Sequence, residues 1–153
     1  MTGENKKELV VSAIDNGTVI DHIPASEVYK VVKILNLDEY QDEVLIGTNL
    51  KSKKYGTKGI IKVKNKFFEE KEVNKIALIA PNATLIVIRN YEVVEKRKLD
   101  IPDRVKNIVK CINPNCITNI EDIETDFRIV EKEPLKLQCH YCEKTMTNIR
   151  FKE

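Results

Sequence analysis

Four cysteines carry the clearest chemistry in the chain, and all lie in its last third, at Cys111, Cys116, Cys139 and Cys142. Four residues separate the first pair, two separate the second, and twenty-two lie between the pairs. Paired thiolates at such spacings form knuckles whose sulfurs can converge on a tetrahedral ion. The set therefore predicts a structural zinc site with one Zn²⁺ per chain, with an iron centre or free thiols as the alternatives. A catalytic metal is not expected, because four sulfur ligands leave no open position for water. The chain has no His-x-Glu motif, and Pro134 lies too far from Cys139 for the zinc deaminase pattern. His140 sits inside the second knuckle and is expected beside the ligands or exposed, since four cysteines already fill the site.

Cations form the second chemical signal. Seven lysines and no acid occur from Lys51 to Lys66, which reads either as a solvated loop and strand face or as an anion site. Lys62 on a strand and Lys96 after the last strand could meet at one sheet edge, where two ammonium groups suit a triphosphate. Asp21 and His22 are adjacent, a pair that fits a turn or strand end as well as a site. Gly56 and Gly59 do not match a phosphate-loop or dinucleotide fingerprint. No nucleophile with a base stands out, so an enzyme is not expected.

These residues need positioning elements. The charged segment from Lys96 to Arg104 reads as a connector, placing a boundary near residue 100 and giving domains 1–100 and 101–153. In the first, Glu8 to Asp15 and Thr18 to Ile23 read as strand around the Asn16-Gly17 turn. Ser26 is expected to cap a helix carrying Val28, Val31, Val32 and Leu35 on one face and ending near Asn36. Glu43 to Leu50 and Gly59 to Lys66 predict a hairpin with a long lysine-rich tip. Val73, Ile76, Ala77 and Ala80 predict a second helix stopped by Pro81, followed by strands at Thr84 to Ile88 and Tyr91 to Val94. The order predicts an α+β, ferredoxin-like sandwich of two helices on an antiparallel sheet, with the other sheet face uncovered. A small all-β zinc-binding domain of the rubredoxin-like or zinc-ribbon kind follows. Its core candidates are Phe127, Ile129, Val130, Leu135, Leu137 and Phe151, too few to fold without the metal's contribution.

Composition narrows the classes. Hydrophobic residues make up 42% and charged residues 33% of 153 residues, with a net charge of +2, which is globular with a heavily charged surface. Near-neutral charge and nine aromatics argue against nucleic-acid binding. The apolar stretch from Ile76 to Ile88 is too short for a membrane helix. Glu4, Lys6, Lys7 and Glu8 break any apolar leader in the first nine residues, so a cytoplasmic location is expected.

Gly17-Thr18-Val19-Ile20-Asp21-His22-Ile23-Pro24-Ala25, Ala80-Pro81-Asn82-Ala83-Thr84, Asn90-Tyr91-Glu92-Val93-Val94 and Cys139-His140-Tyr141-Cys142-Glu143-Lys144 together resemble the regulatory chain of aspartate carbamoyltransferase over essentially the full length. The resemblance implies a non-catalytic subunit that binds CTP as inhibitor and ATP as activator, with UTP reinforcing CTP, and so tunes pyrimidine biosynthesis. It implies pairing of two regulatory chains through their first domains, and three such dimers linking two catalytic trimers. By similarity, Lys96 and His22 face phosphates, and Asp21 and Lys62 lie at ribose and base. Ile14, Val19, Ile60, Ile88, Tyr91 and Val93 then line the base pocket, although Ile14, Ile60 and Ile88 read equally well as ordinary core. Asn113, Asn115 and Glu143 match positions that contact the catalytic chain. Ile86 departs from the best-known pattern, where an asparagine stands, and Glu8 from a lysine.

Overall fold

A computed structural model describes residues 14–53 and 56–152. The chain divides into two compact units, Met1–Asp100 and Ile101–Glu153.

The first unit is built on strand β1 (Gly17–Ile23), helix α1 (Val28–Ile34), strands β2 (Val44–Ser52) and β3 (Gly56–Lys64), helix α2 (Glu70–Ile79) and strands β4 (Thr84–Arg89) and β5 (Glu92–Lys98). The sheet is antiparallel in the order β2-β3-β1-β4-β5, a ferredoxin-like four-strand order with β5 added beside β4. Residues directly opposite one another point to the same side. Ile20, Ile61 and Leu85 form one such row, and they join Val28, Val31, Val73, Ile76 and Ala77 of the helices in a single core. Both helices therefore cover one side of the sheet. Fully burying each of the Val, Ile and Leu side chains contributes roughly 1.5–3 kcal/mol.

Several local expectations are corrected. Ser26 makes no cap: Ala25–Glu27 form a short 3-10 turn closed by Glu27 N–H to the Pro24 carbonyl at 2.8 Å, and α1 starts only at Val28. The lysine-rich tip is not long, because ladder pairing continues through Lys51↔Thr57 to Ser52↔Gly56. Lys96, Arg97 and Lys98 are not connector; they pair with Ile86, Leu85 and Thr84 as part of β5. Charged side chains there do not prevent pairing, since an edge strand needs only backbone partners on one side. The strand expected from Glu8 lies almost wholly outside the described residues, as do Glu8 itself and Lys54. The start of α2 carries a signal the periodicity lacks, a capping box between Glu69 and Glu72.

The second unit holds a four-stranded antiparallel sheet, β6 (Arg104–Lys106), β7 (Asp126–Lys132), β8 (Leu135–Cys139) and β9 (Thr145–Met146), with one helical turn, α3 (Ile117–Ile120). Its buried centre is Val105, Ile108, Val109, Phe127, Leu137 and Met146 together with Cys111, Cys116 and Cys139, while Cys142 is half-buried. Val130 is exposed instead, because β7 slips register between Ile129 and Glu131 and turns it outward. No helix among the described residues is long and apolar enough to cross a membrane.

Candidate functional site

In the second unit, backbone pairing aims the cysteines at one point. Val109 bridges Phe151, and Lys110 N–H bonds the Arg150 carbonyl at 2.7 Å, which delivers Cys111. Cys139 ends β8, where Glu143 N–H returns to its carbonyl at 3.0 Å and Glu143 takes φ 63° to close the turn. The four sulfurs lie within 4.8 Å of one another, and Cys111–Cys142 and Cys116–Cys139 are each separated by 3.7 Å. A tetrahedron with ~2.3 Å metal–sulfur bonds has edges of about 3.8 Å, so the donor set fits a tetrahedral thiophilic ion. His140 supplies no ligand. It is exposed, with Nδ1 3.1 Å from Arg104 Nη2, while Arg104 Nε donates to Asp126.

The thiols are poised unevenly. Burial pushes Cys111 up to about 12 and also raises Cys139. Cys142 falls to about 7 although burial opposes it, because the Lys144 N–H, the Asn113 side chain and the neighbouring thiols donate to its thiolate. A cation among four sulfurs offsets the burial that keeps Cys111 and Cys139 protonated. Thr118 Oγ1 lies 3.2 Å from Cys116 Sγ, an outer partner the spacing of cysteines does not reveal.

Asn113 and Asn115 flank this cluster on the first knuckle, and Glu143 follows the second. Asn113 is half-buried, with Oδ1 accepting the Asn115 N–H at 3.1 Å, whereas Asn115 and Glu143 are exposed.

In the first unit, the side of the sheet opposite the helices carries the other candidates. Lys62 pairs with Val19, Val19 with Ile86, and Ile86 with Lys96, so these four stand in one row across β3, β1, β4 and β5. Lys62 and Lys96 do not meet at an edge. Three strand steps of ~4.8 Å put about 14 Å between their backbones, with the apolar Val19 and Ile86 between. Ile60 shares that side, as do Asp21, opposite Thr84, and Ile88, opposite Gly17 and Val93. Val19 and Ile14 are 4% exposed, whereas Tyr91 and Val93 are 71% and 60% exposed. Ile14 precedes an Asp15 whose carbonyl accepts the Tyr91 N–H at 2.9 Å, which ties that segment to the β4–β5 turn.

Asp21 faces a lysine that the sequence does not single out. Lys58 Nζ lies 2.9 Å and 3.2 Å from its two oxygens, and the His22 N–H donates to it at 2.7 Å. Lys58 lies four residues before Lys62 on the same strand, hence on the same side, and this period is the one signal pointing to it. His22 departs from the row. β1 changes register between Ile20 and Ile23, His22 takes φ 57°, and its Nδ1 sits 3.0 Å from Thr84 Oγ1. It lines a cavity of about 750 Å³ with Pro24, Ser26, Tyr29, Thr48 and Asn82 at the end of β1.

Comparison with known proteins gives the same family twice. A model described as the aspartate carbamoyltransferase regulatory chain, allosteric domain, matches residues 9–100, and one described as its metal binding domain matches residues 103–152. Curated relatives with that chain's name include one from Thermococcus sibiricus, 57% identical over 92% of this chain and 93% of its own. Others come from Pyrococcus horikoshii, 56% identical over 91% and 93%, and Parabacteroides distasonis, 51% identical over 94% of each. With its thiolate cluster in the metal-binding segment and its lysine-flanked sheet face in the allosteric one, the chain belongs to the aspartate carbamoyltransferase regulatory chains, non-catalytic subunits of that enzyme.

Proposed function

We propose that the first unit, residues 1–100, binds CTP, ATP and UTP on the helix-free sheet face, and that the second, 101–153, docks on the catalytic chains around a zinc ion. The observation that carries the effector reading is the row Lys62, Val19, Ile86 and Lys96, with the Asp21–Lys58 pair beside it. Two separated cations with an apolar strip between them suit a flat base at one end and phosphates at the other. In this reading Lys96 and His22 take phosphate oxygens. Asp21 accepts ribose hydroxyls, Lys62 reaches the base end, and Ile14, Val19, Ile60, Ile88, Tyr91 and Val93 enclose the ring.

Cys111, Cys116, Cys139 and Cys142 hold the zinc, which supplies the charge that lets four thiolates share one buried site. Asn113, Asn115 and Glu143, fixed by the knuckles, meet the catalytic chain. Two regulatory chains pair through their first units, and three pairs link two catalytic trimers in the cytoplasm.

CTP lowers activity and ATP raises it by competing for one site while favouring different assembly states. A nucleotide acts only through that difference in affinity, and a coupling of about 1–3 kcal/mol corresponds to roughly 5- to 150-fold. The control falls on pyrimidine biosynthesis. Ile86, in mid-row, is the position expected to set preference among the nucleotides. Calorimetric titration of CTP and ATP into the zinc-loaded chain, with Lys96→Ala alongside, tests the site. Loss of a charge-assisted contact worth about 1.5–3 kcal/mol weakens binding roughly 10- to 150-fold; an unchanged affinity refutes it.

A further inference from the structure

One side chain holds the first knuckle from outside the metal cluster. Asn119 Nδ2 lies 2.9 Å from the Cys111 carbonyl oxygen and 2.7 Å from the Asn113 carbonyl oxygen. Both partners can only accept, so the amide NH₂ of Asn119 must face them with both of its hydrogens. The Asn113 carbonyl also takes the Cys116 N–H at 3.0 Å, and the Asn119 N–H bonds the Cys116 carbonyl at 2.9 Å. Residue 119 sits in α3, a single turn closed by Glu121 N–H to the Ile117 carbonyl at 2.9 Å. One such turn does not persist alone, because nucleation fixes several residues for one bond. Turn and knuckle therefore hold each other.

A metal ion pins the loop only at its sulfur ends, Cys111 and Cys116. The four residues between, Ile112, Asn113, Pro114 and Asn115, are shaped by hydrogen bonds: the Asn113 side chain takes the Asn115 N–H and reaches Cys142, and the Asn119 amide closes the loop from outside through the Cys111 and Asn113 carbonyls. Its amide bonds neither sulfur nor side chain there; Thr118, by contrast, reaches Cys116 Sγ. We propose that Asn119 is a positioning residue for docking, clamping the Cys111–Cys116 loop in the shape that presents Asn113 and Asn115 to the catalytic chain. This rests on the docking reading of the knuckle.

The test uses the intact zinc-loaded chain and the purified catalytic trimer, with Asn119→Ala, Asn119→Asp, Asn115→Ala, Asn113→Ala and the Asn119→Ala/Asn115→Ala pair. Metal content, docking affinity at saturating zinc and amide exchange of residues 112–116 are read for each. The clamp predicts one zinc per chain throughout and faster exchange in the loop. Docking weakens about 10- to 30-fold in both Asn119 variants, the scale of two neutral hydrogen bonds. The double variant binds no worse than the weaker single one, because Asn119 acts through the loop that carries Asn115. Affinity within twofold of the parent with zinc bound overturns the proposal. So does an additive double variant, or docking that falls only as zinc is lost. If Asn113→Ala and Asn115→Ala both leave docking intact, the docking reading of the loop itself fails; if they weaken it and Asn119→Ala does not, only the clamp fails.

Discussion

Gly17 opens the strand that carries Val19 and Asp21, and replacing it by alanine is the substitution expected to damage the first unit most. Gly17 has φ +143°, a conformation L side chains rarely adopt. A Cβ there would overlap the Val63 carbonyl oxygen and stand 3.1 Å from Lys64 Cα, both backbone atoms of β3 that cannot swing away. The backbone strain costs about 1–3 kcal/mol and the overlap roughly another 1–3 kcal/mol, offset by about 0.4–1 kcal/mol of lost unfolded-state freedom. A net cost of about 3 kcal/mol follows, within limits of roughly 1 and 6, and at roughly 4–8 °C per kcal/mol for a unit of this size the midpoint falls by about 12–24 °C. Two other glycines separate the terms. Gly56 has φ +80° with nothing within 4 Å of a Cβ, so Gly56→Ala carries strain alone, about 1 kcal/mol. At Gly59 a Cβ would overlap Val28 Cγ2, a side-chain atom of α1, and no unusual φ applies. Val28→Ala should therefore relieve Gly59→Ala and leave Gly17→Ala no better. Scanning calorimetry, with amide exchange of β1 and β3 to assign the transition, measures all four. A Gly17→Ala cost equal to that of Gly56→Ala, or relief of Gly17→Ala by Val28→Ala, would refute the contact geometry.

Stripping the metal with a chelator should unfold residues 101–153, whose small core leans on an ion worth about 10–16 kcal/mol in comparable domains; unchanged exchange protection in β6 to β9 would sink this. CTP binding to the first unit should survive the same treatment. Metal affinity should fall as pH drops from 8 to 6, read by competition with a chelating dye. Stripped of the ion, the segment unfolds and its four thiols return toward the ordinary ~8.5, so across this range they carry protons that binding must release. Burial, which raises Cys111 and Cys139, adds to what the ion must offset on folding, and a flat affinity profile would contradict the sign. Asp21→Asn removes the partner of Lys58, a pair with side chains only 16% and 22% exposed. The unit should lose about 1 kcal/mol and CTP affinity about tenfold, whereas a stability loss with unchanged CTP affinity would place Asp21 outside the site.

The metal cluster is legible in the sequence because cysteine spacing is a local property: two short knuckles need only a hairpin to bring them together. The helix periodicities in α1 and α2 and the order of elements are legible for the same reason, since apolar residues at helical spacing must face one core. The lysine-rich tip and the segment at Lys96 mislead, because charge and turn composition report exposure, whereas strand pairing depends on a backbone partner from elsewhere in the chain. The strand period narrows the partner of Asp21 to Lys58 or Lys62 but does not choose between them. Lys58 and Lys62 share one strand and one side, and only the register slip between Ile20 and Ile23 decides that Asp21 faces the former.

The sequence by itself determined the two-part layout, the four thiols and the family, because these rest on residue identity and on spacings along the chain. The tertiary structure decided that Lys62 and Lys96 stand about 14 Å apart in one row across four strands rather than together at an edge. It also decided that Asn119, three residues beyond the cysteine pair, turns back to close the knuckle. Both are questions of where separated backbone segments come to lie, and that is set by sheet register and by hydrogen bonds that no single segment contains.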